Sequence, residues 1–231
     1  MILTKSVNFH ENEEMGSLTE ENYIKSIYSL SQAKGEVFVT ELAKRLEVKL
    51  PTVNSMVKKL ATKMIVAYAP YKGIKLTEKG KKEALGIIRK HRLAELFLVK
   101  VMGLGWEEVH DIAEQLEHVN SERFYNRMDE LLNYPKTDPH GEPIPDARGK
   151  LRVEKGTPLS EVSEGKSGRL VAVSFDEKSF LDHLTAKGLR IGDNITVRKR
   201  ELFDGSVTIR KSQKEIILSH QVAERLFVEM K

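Results

Sequence analysis

The run VFVTELAKRLEVKLPTVNSMVKKLATKMIVAYAPYKGIKLTEKGKKEA, residues 37–84, restricts this chain more than any other segment does. Thr40 reads as the cap of a short helix carrying Leu42, Ala43 and Leu46. A turn over 48–50 leads to a second helix with Pro51 at its first position, where a missing N–H costs nothing. Two short strands follow, roughly 65–70 and 73–77, joined near Tyr71 and Lys72. Helix, turn, helix and a two-stranded wing make a winged helix-turn-helix.

On a helix over 51–63, Val53, Met56, Val57 and Leu60 fall on one arc and face the core. The opposite arc carries Pro51, Thr52, Asn54, Ser55, Lys58 and Lys59. Short hydrogen-bonding groups come first and lysines one turn later, as a helix entering the major groove needs. Lys49, Lys58, Lys59 and Lys72 at the wing tip are the expected phosphate contacts, and double-stranded operator DNA the expected partner. An ordinary amphipathic surface helix is the alternative.

Charge separates along the chain. Residues 34–90 hold 14 Lys and Arg against 5 Asp and Glu, whereas 91–147 hold 5 against 12. A basic block followed by an acidic one suggests an anionic partner for the first and cations for the second. Two solvated surfaces of opposite sign would give the same count.

The acidic block contains HRLAE at 91–95 and VHDIAEQLEH at 109–118. His91 and Glu95 stand one helical turn apart, on one face of an otherwise apolar helix. A carboxylate on such a stripe is costly to bury without a partner. In the second segment Val109, Ile112, Ala113, Leu116 and Val119 are expected to face the core, with His110, Glu114, Glu117 and His118 beside them. There is no cysteine, which excludes disulfide scaffolds, thiolate zinc modules and Cys-ligated clusters. Imidazoles and carboxylates suit manganese, ferrous iron, zinc and cobalt. Ion pairs such as Glu114 with His118 are the structural alternative.

The 231 residues call for two or three compact units. The expected class is mainly α: a flexible tail over 1–17, with Met15 a candidate start, and a winged helix-turn-helix over 18–90. A helical metal-binding and dimerisation domain over 91–149, a linker over 150–167 and a small SH3-like β-barrel over 168–231 follow. Thr19, followed by Glu20 and Glu21, marks the expected start of the first helix. The apolar stretch 93–102 is the expected homodimer contact. No apolar run approaches the ~20 residues a membrane span needs, and the first residues lack a secretory h-region. A cytoplasmic protein with no membrane partner is expected.

KHRLAELFL, EEVHDIAEQLEHVNSE and DPHGEPIP, in this order after a winged helix, resemble the signatures of the diphtheria-toxin-repressor and manganese-transport-regulator family of metal-dependent repressors. GLRIGDNITV resembles part of that family's C-terminal SH3-like domain. The resemblance implies a dimeric repressor of metal-homeostasis genes that binds Mn2+ or Fe2+ at two sites per subunit, with zinc, cobalt or nickel able to substitute in vitro. Glu114, Glu117 and His118 match primary-site ligands, with Asn22 at the place of the first-helix ligand; His91, Glu95 and His110 match the ancillary site, to which Asp176 would add a ligand. Iron-sensing members typically carry Cys where this chain has Glu114 and Met where it has Asn22, so the acid is similar to manganese sensors. Those sensors typically have Asp at the place of Asn22 and a further carboxylate at that of Lys25.

Two alternatives stand beside this reading. One is a metallohydrolase using His91, His110, Glu114 and His118, although no nucleophile, general acid or Gly-rich cradle accompanies them. The other is a winged-helix repressor governed by an organic effector, with the acidic cluster purely structural.

Overall fold

The computed structural model describes residues 7–69, 72–151, 156–174 and 177–230, apart from the side chains of 7–17 and 34. The chain forms two compact units: Met1–Lys90 with Pro145–Lys150, and His91–Ile144 with Leu151–Lys231.

In the first unit, α1 spans Val7–Lys34, so the stretch expected to be a flexible tail is helical from Val7. Thr19, Glu20 and Glu21 lie inside the helix rather than at its start. Glu11, Glu13, Glu14 and Met15 are good helix formers, and extending an existing helix costs far less than nucleating one. Next come α2 (Val39–Arg45) and α3 (Leu50–Thr62). The cap of α2 is Phe38, whose N–H donates to Glu41 Oε2 at 3.1 Å, and Thr40 sits within the helix, contrary to expectation. The wing is β1 (Val66–Ala67) paired antiparallel with β2 (Lys75–Leu76); its expected joint at Tyr71 lies outside the described residues. Ile24 and Ile27 of α1, Leu42 of α2, Val53, Val57 and Leu60 of α3, and Ile74 fill one core. Met56 is only half-buried. Burying each large aliphatic side chain contributes roughly 1.5–3 kcal/mol, so the apolar stripe of α3 fixes which face turns outward.

Helix α4 (Glu78–Lys100) supplies both units, and α5 (His110–Leu116) and α6 (Glu122–Leu131) belong to the second. Leu93 and Leu96 of α4 pack with Ile144 and Leu132. On α5 only Val109 and Ala113 of the expected core arc are buried, while Ile112 and Val119 are exposed. The short helix ends at Leu116, so the arc does not continue to Val119.

The rest of the second unit is β3 (Thr157–Pro158), a 3-10 turn at Leu159–Glu161, β4 (Ser167–Val173), α7 (Lys178–Lys187), β5 (Asn194–Arg200), β6 (Val207–Lys211), β7 (Lys214–Leu218), α8 (His220–Ala223) and β8 (Leu226–Met230). The sheet order is β3-β8-β4-β5-β6-β7. Residues read as linker thus contribute an edge strand, and β8, with no counterpart in the sequence reading, lies between β3 and β4. Leu170, Val197, Ile209, Leu218 and Val228 alternate inward to form the barrel core.

Candidate metal centre and DNA face

Helices α4 and α5 bring imidazoles and carboxylates together. His91 and Glu95 share a face of α4, with His91 Nε2 3.1 Å from Glu95 Oε1. His91 Nδ1 lies 2.7 Å from Glu117 Oε2 and 3.8 Å from Glu114 Oε1. His110 stands 3.4 Å from Glu95 and 3.6 Å from Glu114, and His118 lies 3.8 Å from Glu117 Oε1. All six residues proposed from helical spacing therefore join one cluster, linked through His91 and Glu117. Ligand atoms of His91, His110 and Glu114 fall within 4.8 Å of one another. Glu114 thus reaches the side of His91 and His110, where the resemblance groups it with Glu117 and His118. The cause is local: α5 stops at Leu116, and Glu117, at its C-cap, turns inward to full burial.

The electrostatics fit a divalent ion. Glu95 is 2% exposed and Glu117 0%, and the cost of burying such carboxylates demands compensating positive charge. Burial alone would raise the Glu95 carboxyl, but His110, His140 and His91 hold it well below the usual carboxylate range. Both ring nitrogens of His91 face carboxylate oxygens. A neutral imidazole donates through only one, so the arrangement calls for a second proton or a cation. The donors are nitrogen and oxygen without thiolate, a set suited to manganese, iron, zinc or cobalt.

Two members of this neighbourhood were absent from the spacing argument. His140 Nδ1 lies 3.7 Å from Glu95 Oε2, and Arg92 Nε lies 3.5 Å from Asp138 Oδ2. Burial and the Glu95 charge push the Asp138 carboxyl up to about 7, against the pull of Arg92. Burial opposes charge on His140, but Glu95 and Asp138 outweigh it and raise the imidazole to about 9. The only sequence signal for these two was the DPHGEPIP motif itself.

Asn22 lies on α1 in the first unit. Its Oδ1 is buried without a hydrogen-bond partner, an unusual state for an amide oxygen and one that suits a ligand. Asp176 lies outside the described residues.

On α3, Pro51, Thr52, Ser55, Lys58 and Lys59 are exposed, as are Lys49 before it and Lys72 in the wing. Asn54 is half-buried and accepts a hydrogen bond from Tyr68 Oη at 3.2 Å. Lys59 Nζ lies 2.8 Å from Glu20 Oε1, and Lys63 Nζ 2.6 Å from Glu20 Oε2. Burial would raise the Glu20 carboxyl, but these two ammonium groups keep it below its ordinary value.

A winged helix followed by buried imidazole–carboxylate helices and a small barrel defines a metal-dependent transcriptional regulator. Three family models match in this order: the iron dependent repressor N-terminal DNA binding domain over 16–74, the iron dependent repressor metal binding and dimerisation domain over 77–146, and the FeoA domain over 157–230. The chain is 33% identical over 226 residues to the iron-dependent repressor IdeR of Mycobacterium leprae (strain TN), covering 91% of this chain and 96% of that protein. A manganese-dependent transcriptional repressor in complex with manganese superposes with a TM-score of 0.81 at 30% identity, covering 92% of this chain and all of the other. The manganese regulator SloR superposes at 0.72 with 36% identity, covering 92% and 98%. The chain belongs to the diphtheria-toxin-repressor and manganese-transport-regulator family of metal-dependent transcriptional repressors. That family consists of regulators of metal homeostasis rather than enzymes, which sets aside the hydrolase and organic-effector alternatives. No helix among the described residues is long and apolar enough to cross a membrane.

Proposed function

We propose that this chain, as a cytoplasmic homodimer, represses metal-uptake genes when Mn2+ or Fe2+ fills two sites in each subunit. Glu114, Glu117 and His118, with Asn22, would hold one ion; His91, Glu95 and His110, with Asp176 as a further donor, the other. The observation that carries this reading is the surplus of buried carboxylates at His91: Glu95 and Glu117 face its two nitrogens at 3.1 and 2.7 Å. A bound divalent ion supplies the positive charge that this surplus calls for.

The remaining work belongs to the chain's own residues. Helix α1 carries Asn22 and, two positions earlier, Glu20, which grips Lys59 and Lys63 at the far end of α3. Fixing Asn22 therefore restrains the helix that positions the DNA reader. Thr52, Asn54 and Ser55 approach base edges, Pro51 and the Thr52 methyl meet thymine methyls, and Lys49, Lys58, Lys59 and Lys72 meet phosphates of double-stranded operator DNA. Of the stretch 93–102, Leu93, Ala94, Leu96 and Leu98 are buried within the chain while Val101 and Met102 are exposed, and these two with Ile112, Val119, Phe124 and Leu131 offer apolar surface for the subunit contact.

Glu114 in place of a thiolate favours manganese, while zinc binds such donors more tightly in vitro. The experiment is anaerobic fluorescence anisotropy on promoter DNA with manganese, ferrous iron and zinc titrated in turn. Activation by manganese or iron at micromolar concentrations or below supports the proposal; activation by neither removes it.

A further inference from the structure

The outward face of α3 carries one side chain that the fold has already engaged. Thr52 and Ser55 are exposed, whereas Asn54 is half-buried and its Oδ1 accepts a hydrogen bond from Tyr68 Oη at 3.2 Å. Tyr68 follows directly on β1 of the wing. We infer that Tyr68 determines specificity by acting through Asn54. It turns the amide oxygen toward the wing and presents the amide N–H groups to DNA, so that guanine is selected over adenine at the base pair Asn54 meets. The inference deepens, and rests on, the reading that α3 enters the major groove of an operator.

The chemistry lies in the asymmetry of a carboxamide. An asparagine with both ends available pairs bidentately with adenine, donating to N7 and accepting from N6. That pairing needs oxygen and nitrogen side by side on the base edge. Here the oxygen is committed to a phenol, which leaves the two N–H donors for the groove. Guanine offers adjacent acceptors, N7 and O6, and no donor; adenine sets a donor beside its acceptor, and cytosine offers a donor. An outward amide nitrogen therefore fits guanine and opposes the adenine amino group.

Tyr68 is firmly placed for this role. Ile65 and Val66 just before it are buried, and Val66 pairs with Leu76 and Ala67 with Lys75 across the wing. The half-buried ring packs against the core that α1, α2 and α3 share, so the phenol reaches Asn54 from a fixed support. A contact of 3.2 Å is long for a hydroxyl donor. It biases the amide while adding little to the stability of the fold.

The test is selection from a randomised duplex DNA library by the full chain with Mn2+, followed by sequencing, on wild type, Tyr68→Phe, Asn54→Ala and the double variant. The position whose preference Asn54→Ala abolishes is the base pair that Asn54 reads. Wild type should select guanine there. Tyr68→Phe should move the guanine-to-adenine ratio toward adenine by roughly 5–150-fold, the worth of one bidentate pair. Preferences elsewhere, the salt slope of binding and Tm should stay as in wild type, and Tyr68→Phe should change nothing in the Asn54→Ala background. Adenine selected by wild type, or a ratio that Tyr68→Phe leaves unchanged, overturns the inference while the DNA-reading face stands. Preferences altered at many positions, or altered equally in the Asn54→Ala background, assign Tyr68 to the fold or to DNA directly and also overturn it. Selected sequences that Asn54→Ala leaves untouched remove Asn54 from the reading face, and this inference with it. The absence of any Mn2+-dependent selection by wild type removes the proposed function itself.

Discussion

Glu117 Oε2 lies 2.7 Å from His91 Nδ1, across 26 residues of sequence, and Glu117 is completely buried. A bound cation would offset the cost of burying this carboxylate. Glu117→Gln should leave the chelated protein at least as stable as wild type, because a buried negative charge is gone. Added manganese should stabilise wild type by about 2.7 kcal/mol at a hundredfold excess over Kd, and the variant by far less. Thermal melts with chelator and with manganese check both halves.

The Glu20 clamp is a separate, smaller effect. Glu20→Gln should lower stability by about 0.5–1 kcal/mol at neutral pH, since the lysines are half-exposed and screened. Lys59 and Lys63 keep the Glu20 carboxyl below its ordinary 4.5 against the effect of burial. Its contribution is thus complete above that ordinary value and disappears as pH falls through the lower folded one. Urea titrations should show wild type and variant apart at pH 7 and converging as the pH is lowered through the carboxylate range.

How legible these features were depended on how local they are. The stripe Val53, Val57 and Leu60 recurs at helical spacing, so α3 and its outward face could be read directly. His91 with Glu95 and His110 with Glu114 are i, i+4 pairs and were equally plain. The contacts of His140 with Glu95 and of Arg92 with Asp138 span 45 and 46 positions and follow no period, so only the folded loop reveals them. Helix α1 shows the opposite failure. Thr19–Glu20–Glu21 has the composition of a helix start, yet Glu20 is mid-helix and its charge is spent on α3. Strand β8 pairs on both sides, but LFVEM is too short and too mixed for alternation to declare it.

Lys58→Ala should reduce the slope of log K against log[salt] for promoter binding by about 0.9, the loss of one phosphate contact. Lys59→Ala should reduce it less, because Glu20 already neutralises part of that charge at 2.8 Å. Anisotropy titrations across a salt series read the two slopes.

Gly141 has φ 84° in the DPHGEP loop, and a Cβ there would lie 1.9 Å from the Val171 carbonyl oxygen. The left-handed backbone alone costs other residues roughly 1–3 kcal/mol, and the clash would lift the loop from β4. Gly141→Ala should therefore destabilise the fold by at least that amount and displace His140, visible as a lower Tm and a shifted imidazole resonance.

The most direct test of metal-linked repression is the affinity for Mn2+ measured twice by calorimetry, on the free dimer and on the dimer saturated with promoter DNA. Linkage requires the ion to bind tighter to the DNA complex by the same factor that the ion tightens DNA binding, about 5–150-fold. Equal manganese affinities in the two states would contradict the account.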